Sequence, residues 1–237
     1  EEIIRAFAIL KIAAARANHT LDRLSEARKN AIAAAGEAIL RGEYPEEFPL
    51  KVWQTGSGTQ SNMNMNEVIA HIANRADPSL AIHPNDHVNM SQSSNDTFPT
   101  ALHIAAALAL EDRLFPALER ITGTLRRLEQ ENGDVIKIGR THLQDAVPLR
   151  FSQEISGWRV SLERDWEMLE QALYGVHNLA LGATAVGTGL NAPAGFDEEA
   201  VGEIRRLTHK EFLSEPNKFH ALTSKGELVF AHGALKA

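Results

Sequence analysis

The stretch GRTHLQDAVP, Gly139 to Pro148, sets His142 among Thr141, Gln144 and Asp145. An imidazole titrates near neutrality, so His142 suits general acid–base work, with the threonine and glutamine as neutral partners. By itself a loop histidine is more often a hydrogen-bonded structural residue. Four other segments stand out against an alanine-rich background. QTGSGTQSNMNMNE, Gln54 to Glu67, runs a glycine turn into a helical pattern. Free N–H groups at a helix start favour an anion, and Ser57 and Thr59 flank Gly58 with hydroxyls. The Gly-Lys-Ser/Thr ending of a phosphate loop is missing, as is a dinucleotide fingerprint. Taken alone, a polar helix cap accounts for it. SQSSNDTFPT, Ser91 to Thr100, again precedes a long helical pattern. Asp96 or Thr97 can cap that helix, which leaves Ser93, Ser94 and Asn95 unexplained. HPNDHVN, His83 to Asn89, spaces two histidines four apart with Asp86 between them, a metal-holding spacing when helical. Pro84 and the want of a third ligand favour a turn capped by Asn85 and Asp86. GTGLNAPAGF, Gly187 to Phe196, reads as a glycine-rich fold-back with no titratable group.

Pooled, these segments offer hydroxyls, amides, imidazoles and helix starts, but few cations. Such a donor set suits a small carboxylate held by many neutral groups rather than by one arginine fork. Removing a proton beside a carboxylate builds an enolate-like dianion, which preorganised donors stabilise. A histidine can serve the proton of the other leaving group. The residues thus point to a carboxylate lyase or hydratase.

These groups need long elements to position them. Ile3, Phe7, Leu10, Ala14 and Ala17 follow a buried helical stripe, interrupted at Asn18-His19-Thr20. Ser25 caps a second helix ending near Arg41-Gly42, and a third runs from Thr59 to Asn74. Leu110, Leu114, Ala117, Ile121, Thr124 and Leu128 keep a heptad beat within a helix expected from Thr97 to Asn132, kinked at Pro116. Leu162, Trp166, Leu169, Leu173, Val176 and Ala180 do so in another, beginning near Ser152. Rods of about 45 Å bury such stripes against each other and often against other subunits. Between them DVIKIGRTHLQDAVPL alternates like a short hairpin. The expected fold is mainly α, a long-helix bundle with short β segments near 135–150. Residues 1–90 form an N-terminal helical region with the substrate loop, and 91–237 part of the central bundle.

Composition agrees. The 237 residues are 43% hydrophobic and 23% charged, as in a globular protein. A net charge of −7 and no basic block argue against nucleic acid, and no apolar run of about 18 residues suits a membrane. The absence of cysteine removes disulfides, a thiolate nucleophile and cysteine-held metals, and fits a reducing cytoplasm. An opening without methionine and a close within a helical pattern suggest part of a longer chain.

The segments TGSGTQSNMNMNEV, HPNDHVNMSQSSNDTFPTALHIA and KIGRTHLQDAVPL, followed by AVGTGLN, closely resemble class II fumarase, the metal-free fumarate hydratase of the fumarase/aspartase superfamily. The resemblance implies reversible addition of water to fumarate to give L-malate, without cofactor or metal. It also implies a homotetramer whose active sites draw on three subunits, in the cytoplasm or, in a eukaryote, the mitochondrion. Ser57, Gly58, Thr59, Ser93, Ser94, Asn95 and Thr141 would bind the dicarboxylate. His142 would act through water on the C2 hydroxyl. His83, Pro84, Asn85 and Asp86 resemble a second, non-catalytic dicarboxylate site, with Leu80 where some members carry a basic residue. The family's GSS…PGKVNP loop, with its serine base, lysine and asparagine, does not occur in this stretch. Aspartase, the alternative, resembles GRTQ and SQSTND where this chain has His142 and Ser94. A metal-dependent hydrolase on His83, Asp86 and His87, or a lens-crystallin role, is the remaining rival.

Overall fold

The computed structural model describes every residue except Val52. It divides into two compact units, residues 1–107 with 175–226, and residues 108–174 with 227–237. The first is built around helix α1 (Glu2–Thr20). Its AFAILKIAAA run is small or apolar at all but one position, so the helix is buried on every side from Ala6 to Ala15. Helices α2 (Glu26–Leu40), α3 (Thr59–Ala76) and α7 (Phe196–Thr208) pack against it. Close approach of α2 depends on Gly36, where a Cβ would lie 2.6 Å from Ile12 Cγ1.

The break expected at Asn18-His19-Thr20 falls just after them, since α1 runs through Thr20 and is capped at Leu21. Asn18 is fully buried; its Nδ2 donates to Met90 O and its Oδ1 accepts from Ser91 Oγ. Its side chain is thereby satisfied across the fold and does not compete with the helix backbone. Ser25 caps α2 as the sequence indicates, accepting from the Arg28 N–H.

The expected Thr97–Asn132 helix needs correction at both its start and its middle. Helix α4 spans Ser94–Ala109, and a π turn at Leu110–Leu114 separates it from α5 (Phe115–Glu131). Pro116 falls in the first turn of α5, where its missing N–H is tolerated, and the wide turn takes up the disruption upstream.

The second unit holds α5, the hairpin β1 (Ile136–Thr141) and β2 (Gln144–Arg150), most of α6 (Phe151–Val176) and most of α9 (Gly226–Leu235). Phe115 stacks on Trp166 at 4.7 Å between ring centroids. Arg159 donates to Glu129 at 2.8 Å and to Glu163 at 2.7 Å, tying α5 to α6. Helix α6 stops at Val176, so Ala180 lies beyond it. The chain there enters a two-residue parallel pair that the sequence did not suggest, β3 (Asn178–Leu179) with β4 (Leu213–Ser214). The short helix α8 (Lys218–Thr223) follows. Among the described residues no helix is long and apolar enough to cross a membrane.

Candidate active site

The first unit brings two of the donor segments together. Ser93 precedes α4 and its Oγ accepts from Asn95 N–H at 3.3 Å, while Asp96 Oδ1 accepts from Ser93 N–H at 2.9 Å. This reciprocal pairing is a capping box, so the cap is Ser93 and not Asp96 or Thr97. It starts the helix three residues earlier than expected and exposes Asn95, whose Nδ2 donates to Ala185 O at 2.7 Å.

Gly58 seats the other segment on the same helix start. It holds φ +68°, and a Cβ on it would fall 2.1 Å from Cγ of Phe98 in α4. Only a residue without a side chain lets the turn lie on that ring. Ser57 and Thr59 stay exposed on either side, with Ser57 Oγ 3.3 Å from Thr59 Oγ1 and 3.2 Å from Thr55 Oγ1. The start of α3 thus lies against the second turn of α4, with the hydroxyls of Ser57 and Thr59 exposed beside it.

Beneath them lies a buried polar cluster that residue types alone did not single out. Lys11, fully buried in α1, donates to Asn62 Oδ1 at 2.8 Å, Gln92 Oε1 at 2.9 Å and Asn89 Oδ1 at 3.0 Å. Asn62 Nδ2 donates to Ser94 Oγ at 3.0 Å and to Asn89 Oδ1 at 3.2 Å. Thr97 Oγ1 lies 3.0 Å from Asn62 Oδ1. Asp96 is also fully buried, and its Oδ2 accepts from the N–H groups of Thr184 at 2.8 Å and Gly182 at 3.1 Å. Burial pushes the Lys11 ammonium down to about 7, against the pull of the Asp96 carboxylate. Burial likewise pushes Asp96 up to about 6, opposed by the N–H groups of Ser93, Thr184 and Gly182 and by Lys11. The signal for Lys11 was its place as the one charge within an apolar helical run.

His83 to Asp86 form part of a separate π turn, Pro84–Val88. The caps are histidines here, correcting the expectation for Asn85 and Asp86. His83 Nδ1 accepts from Asp86 N–H at 3.2 Å, and His87 Nδ1 accepts from His83 N–H at 2.8 Å. Imidazoles thus supply what a shorter side chain would. Asn74 pins the approach by bonding both N–H and C=O of Ile82. Arg28 Nε donates to Leu80 O at 3.2 Å. Desolvation, followed by Arg28, holds His87 below its usual range. Among the described residues no three histidine, cysteine or acidic groups gather as a metal site.

Thr141 and His142 belong to the second unit. Thr141 pairs with Gln144, leaving His142 and Leu143 as a two-residue turn with φ +51° and +62°. Both residues are exposed, and Arg140 Nε lies 3.3 Å from Asp145 Oδ1 at the foot of the turn.

One cavity of about 410 Å³ adjoins the first donor segment, with Gln54, Thr55, Gly56 and Ser61 lining it beside Phe7, Met65, Phe98 and Leu102. Another of about 490 Å³ has Arg16, but that guanidinium is engaged by Glu203 at 3.3 Å and Glu37 at 3.5 Å.

The family model described as lyase matches residues 1–237. The chain belongs to the lyases of the fumarase/aspartase superfamily. This lyase chain is 54% identical over 240 residues to the class II fumarate hydratase of Bacillus anthracis, covering 100% of the chain and 52% of that relative. Against the Bacillus subtilis class II fumarate hydratase it is 54% identical over 239 residues, covering 99% and 52%. Among solved structures, the class II fumarase of Schistosoma mansoni superposes with a TM-score of 0.92 at 39% identity, covering 98% of this chain and 53% of the other. A Brucella melitensis protein titled fumarate lyase:delta crystallin, bound to cobalt, gives 0.93 at 39% identity, covering 99% and 52%. The chain spans about half the length of the curated relatives it matches.

Proposed function

We propose that this chain is part of a class II fumarase, which adds water reversibly across the double bond of fumarate to give L-malate. The observation that carries the reading is that the Ser57–Thr59 turn packs through Gly58 on Phe98 of α4, the helix that the Ser93–Asn95 turn opens. The two turns offer neutral donors and no guanidinium fork, the set that grips a small dicarboxylate. Thr141 adds a hydroxyl, and His142 works through a water on the C2 hydroxyl, taking its proton in hydration and returning it in dehydration. The C3 proton is left to a base outside these residues. Because the relatives are about twice as long, the active species is a longer protein that includes this chain.

That protein is a homotetramer, with His142 and Ser94 of any one site coming from different subunits. Apolar side chains left exposed on the second unit support this, Trp158 at 51% and Tyr174 at 78% among them. His83, Pro84, Asn85 and Asp86 form the second dicarboxylate site, and Arg28, bonded to Leu80 O, supplies the cation that Leu80 cannot.

The test is the ultraviolet absorbance of fumarate on adding L-malate to the full-length protein, without ammonia. Absorbance should rise, and EDTA should leave the rate unchanged. Fumarate formed from L-aspartate and not from L-malate would establish aspartase instead. A rate abolished by EDTA and restored by a divalent cation would overturn the metal-free mechanism.

A further inference from the structure

Lys11 lies behind the donor turns and touches none of the residues assigned to substrate, yet it determines the hydrogen-bond polarity of one of them. An ammonium has three donors and no acceptor. Its three bonds, to Asn62 Oδ1, Gln92 Oε1 and Asn89 Oδ1, use all three and compel each amide to turn its oxygen inward. For Asn62 the consequence runs outward. With Oδ1 facing Lys11, its NH2 must face Asn89 and Ser94, and Nδ2 donates to Ser94 Oγ at 3.0 Å. A hydroxyl that accepts from below keeps its one hydrogen for a partner on its other side. Ser94 is half-buried in the first turn of α4, with its backbone committed to the helix.

We propose that Lys11 is a positioning residue for substrate binding. By fixing the orientation of the Asn62 amide, it makes Ser94 an obligatory donor toward the substrate carboxylate. The inference rests on Ser94 being a substrate contact, as read above. Without Lys11 both amides are released: Asn89 no longer has to turn its oxygen inward toward Asn62 Nδ2, and Thr97 Oγ1 accepts from an NH2 as readily as it donates to an oxygen. Ser94 would then face an amide oxygen, donate its hydrogen inward and present a lone pair to the incoming carboxylate. Buried charge is otherwise a poor device for stability, because its desolvation cost rivals its hydrogen bonds. Its use here is the direction it imposes on neutral groups.

A double-mutant cycle in the full-length protein tests this. Lys11→Met keeps the bulk of the side chain but removes its donors. Asn62→Asp keeps an acceptor for Lys11 and removes the Nδ2 donor to Ser94 and Asn89. Each is combined with Ser94→Ala, and KM for L-malate, kcat and the inhibition constant of succinate are measured. Each single variant should raise KM and the succinate constant by about tenfold or more, the scale of one lost hydrogen bond to a charged group, with a smaller change in kcat. In the Ser94→Ala background, Lys11→Met and Asn62→Asp should have little further effect, because the donor they control is already gone. Effects that multiply with Ser94→Ala would show Lys11 acting on the substrate as a bare charge and overturn the proposal, as would single variants with unchanged constants. If Lys11→Met fails to fold by circular dichroism, the Asn62→Asp arm alone decides the matter. Should the wild-type protein fail to turn over malate, the fumarase reading falls; calorimetric binding of succinate to the same variants still tests the role of Lys11.

Discussion

Lys11→Met should erase a pH dependence of stability that the wild-type protein shows between pH 7 and 9. Burial lowers the Lys11 pKa from 10.5 to about 7 in the folded protein. Between those values the unfolded chain binds more protons than the folded one, so stability rises with pH. The contribution is complete above the unfolded pKa of 10.5 and is lost as pH falls through the folded value of about 7. From pH 7 to 9, with the folded ammonium half titrated at the lower end, the gain is about 2 kcal/mol. Methionine has no such term. It does leave behind the oxygens that Lys11 served on Asn62, Asn89 and Gln92, a cost that does not depend on pH. Asp96 follows the opposite sign. Its raised pKa gives stability that is full below 3.8 and lost as pH rises through about 6, below the chosen window. Removing the Lys11 charge raises Asp96 further, and any spill into the window lowers the variant's stability as pH rises. Both effects move the comparison the same way. Urea unfolding of the two proteins at pH 7 and 9 should therefore show the wild type gaining about 2 kcal/mol on the variant. A difference that does not change with pH would refute the lowered pKa of Lys11.

In the full-length protein, His142→Asn should lower kcat by at least about a hundredfold, the usual scale for a lost acid–base group, whereas His83→Asn should leave it nearly unchanged. Steady-state rates with L-malate that rank the two variants the other way would exchange the two sites. Gly58→Ala, with its Cβ driven into the Phe98 ring at φ +68°, should lower the melting temperature and raise KM, at a cost of about 1–3 kcal/mol. Equal melting curves and kinetics would show that the turn does not rest on that ring. Co-assembled Ser94→Ala and His142→Asn subunits, assayed at L-malate well below KM, should recover roughly a quarter of wild-type activity in mixed tetramers, while pure Ser94→Ala reaches about a tenth or less and pure His142→Asn about a hundredth or less. No recovery in tetramers shown to be mixed would place both residues of a site on one chain.

What the sequence made legible was local. A glycine turn running into a helix, a serine standing before a helical run and an alternating run broken by two residues each contain their own cause. The structure reproduces the α2 cap, the α3 start and the β1–β2 hairpin accordingly. Lys11 was illegible for the opposite reason. Its neighbours in sequence are apolar, and the three oxygens that make its burial tolerable lie 51, 78 and 81 residues away. Asp96 was misread for a related reason. A helix-start aspartate commonly caps its own helix, but this one also binds two N–H groups 86 and 88 residues distant, which only the folded chain supplies. The π turn before Pro116 lies between these cases: proline foretold a disruption, and packing decided where it fell.

The hairpin tip gives the reading of His142 a physical basis independent of resemblance. A two-residue hairpin turn needs left-handed backbone at both central positions, which asparagine and glycine accept at little cost. Here the two positions are His142 and Leu143, at φ +51° and +62°. Left-handed backbone at a residue with a branched or bulky side chain costs about 1–3 kcal/mol. Burial in this hairpin does not offset that cost, since Leu143 is 94% exposed and Thr141 and His142 are exposed as well. A turn chosen for stability alone would carry Asn-Gly at its tip. What the strained turn achieves is to hold an imidazole outward at a fixed point, on strands paired from Ile136↔Arg150 to Thr141↔Gln144. That is the presentation required of a group that meets its substrate through a water, and it is wasted on a histidine that merely caps or packs.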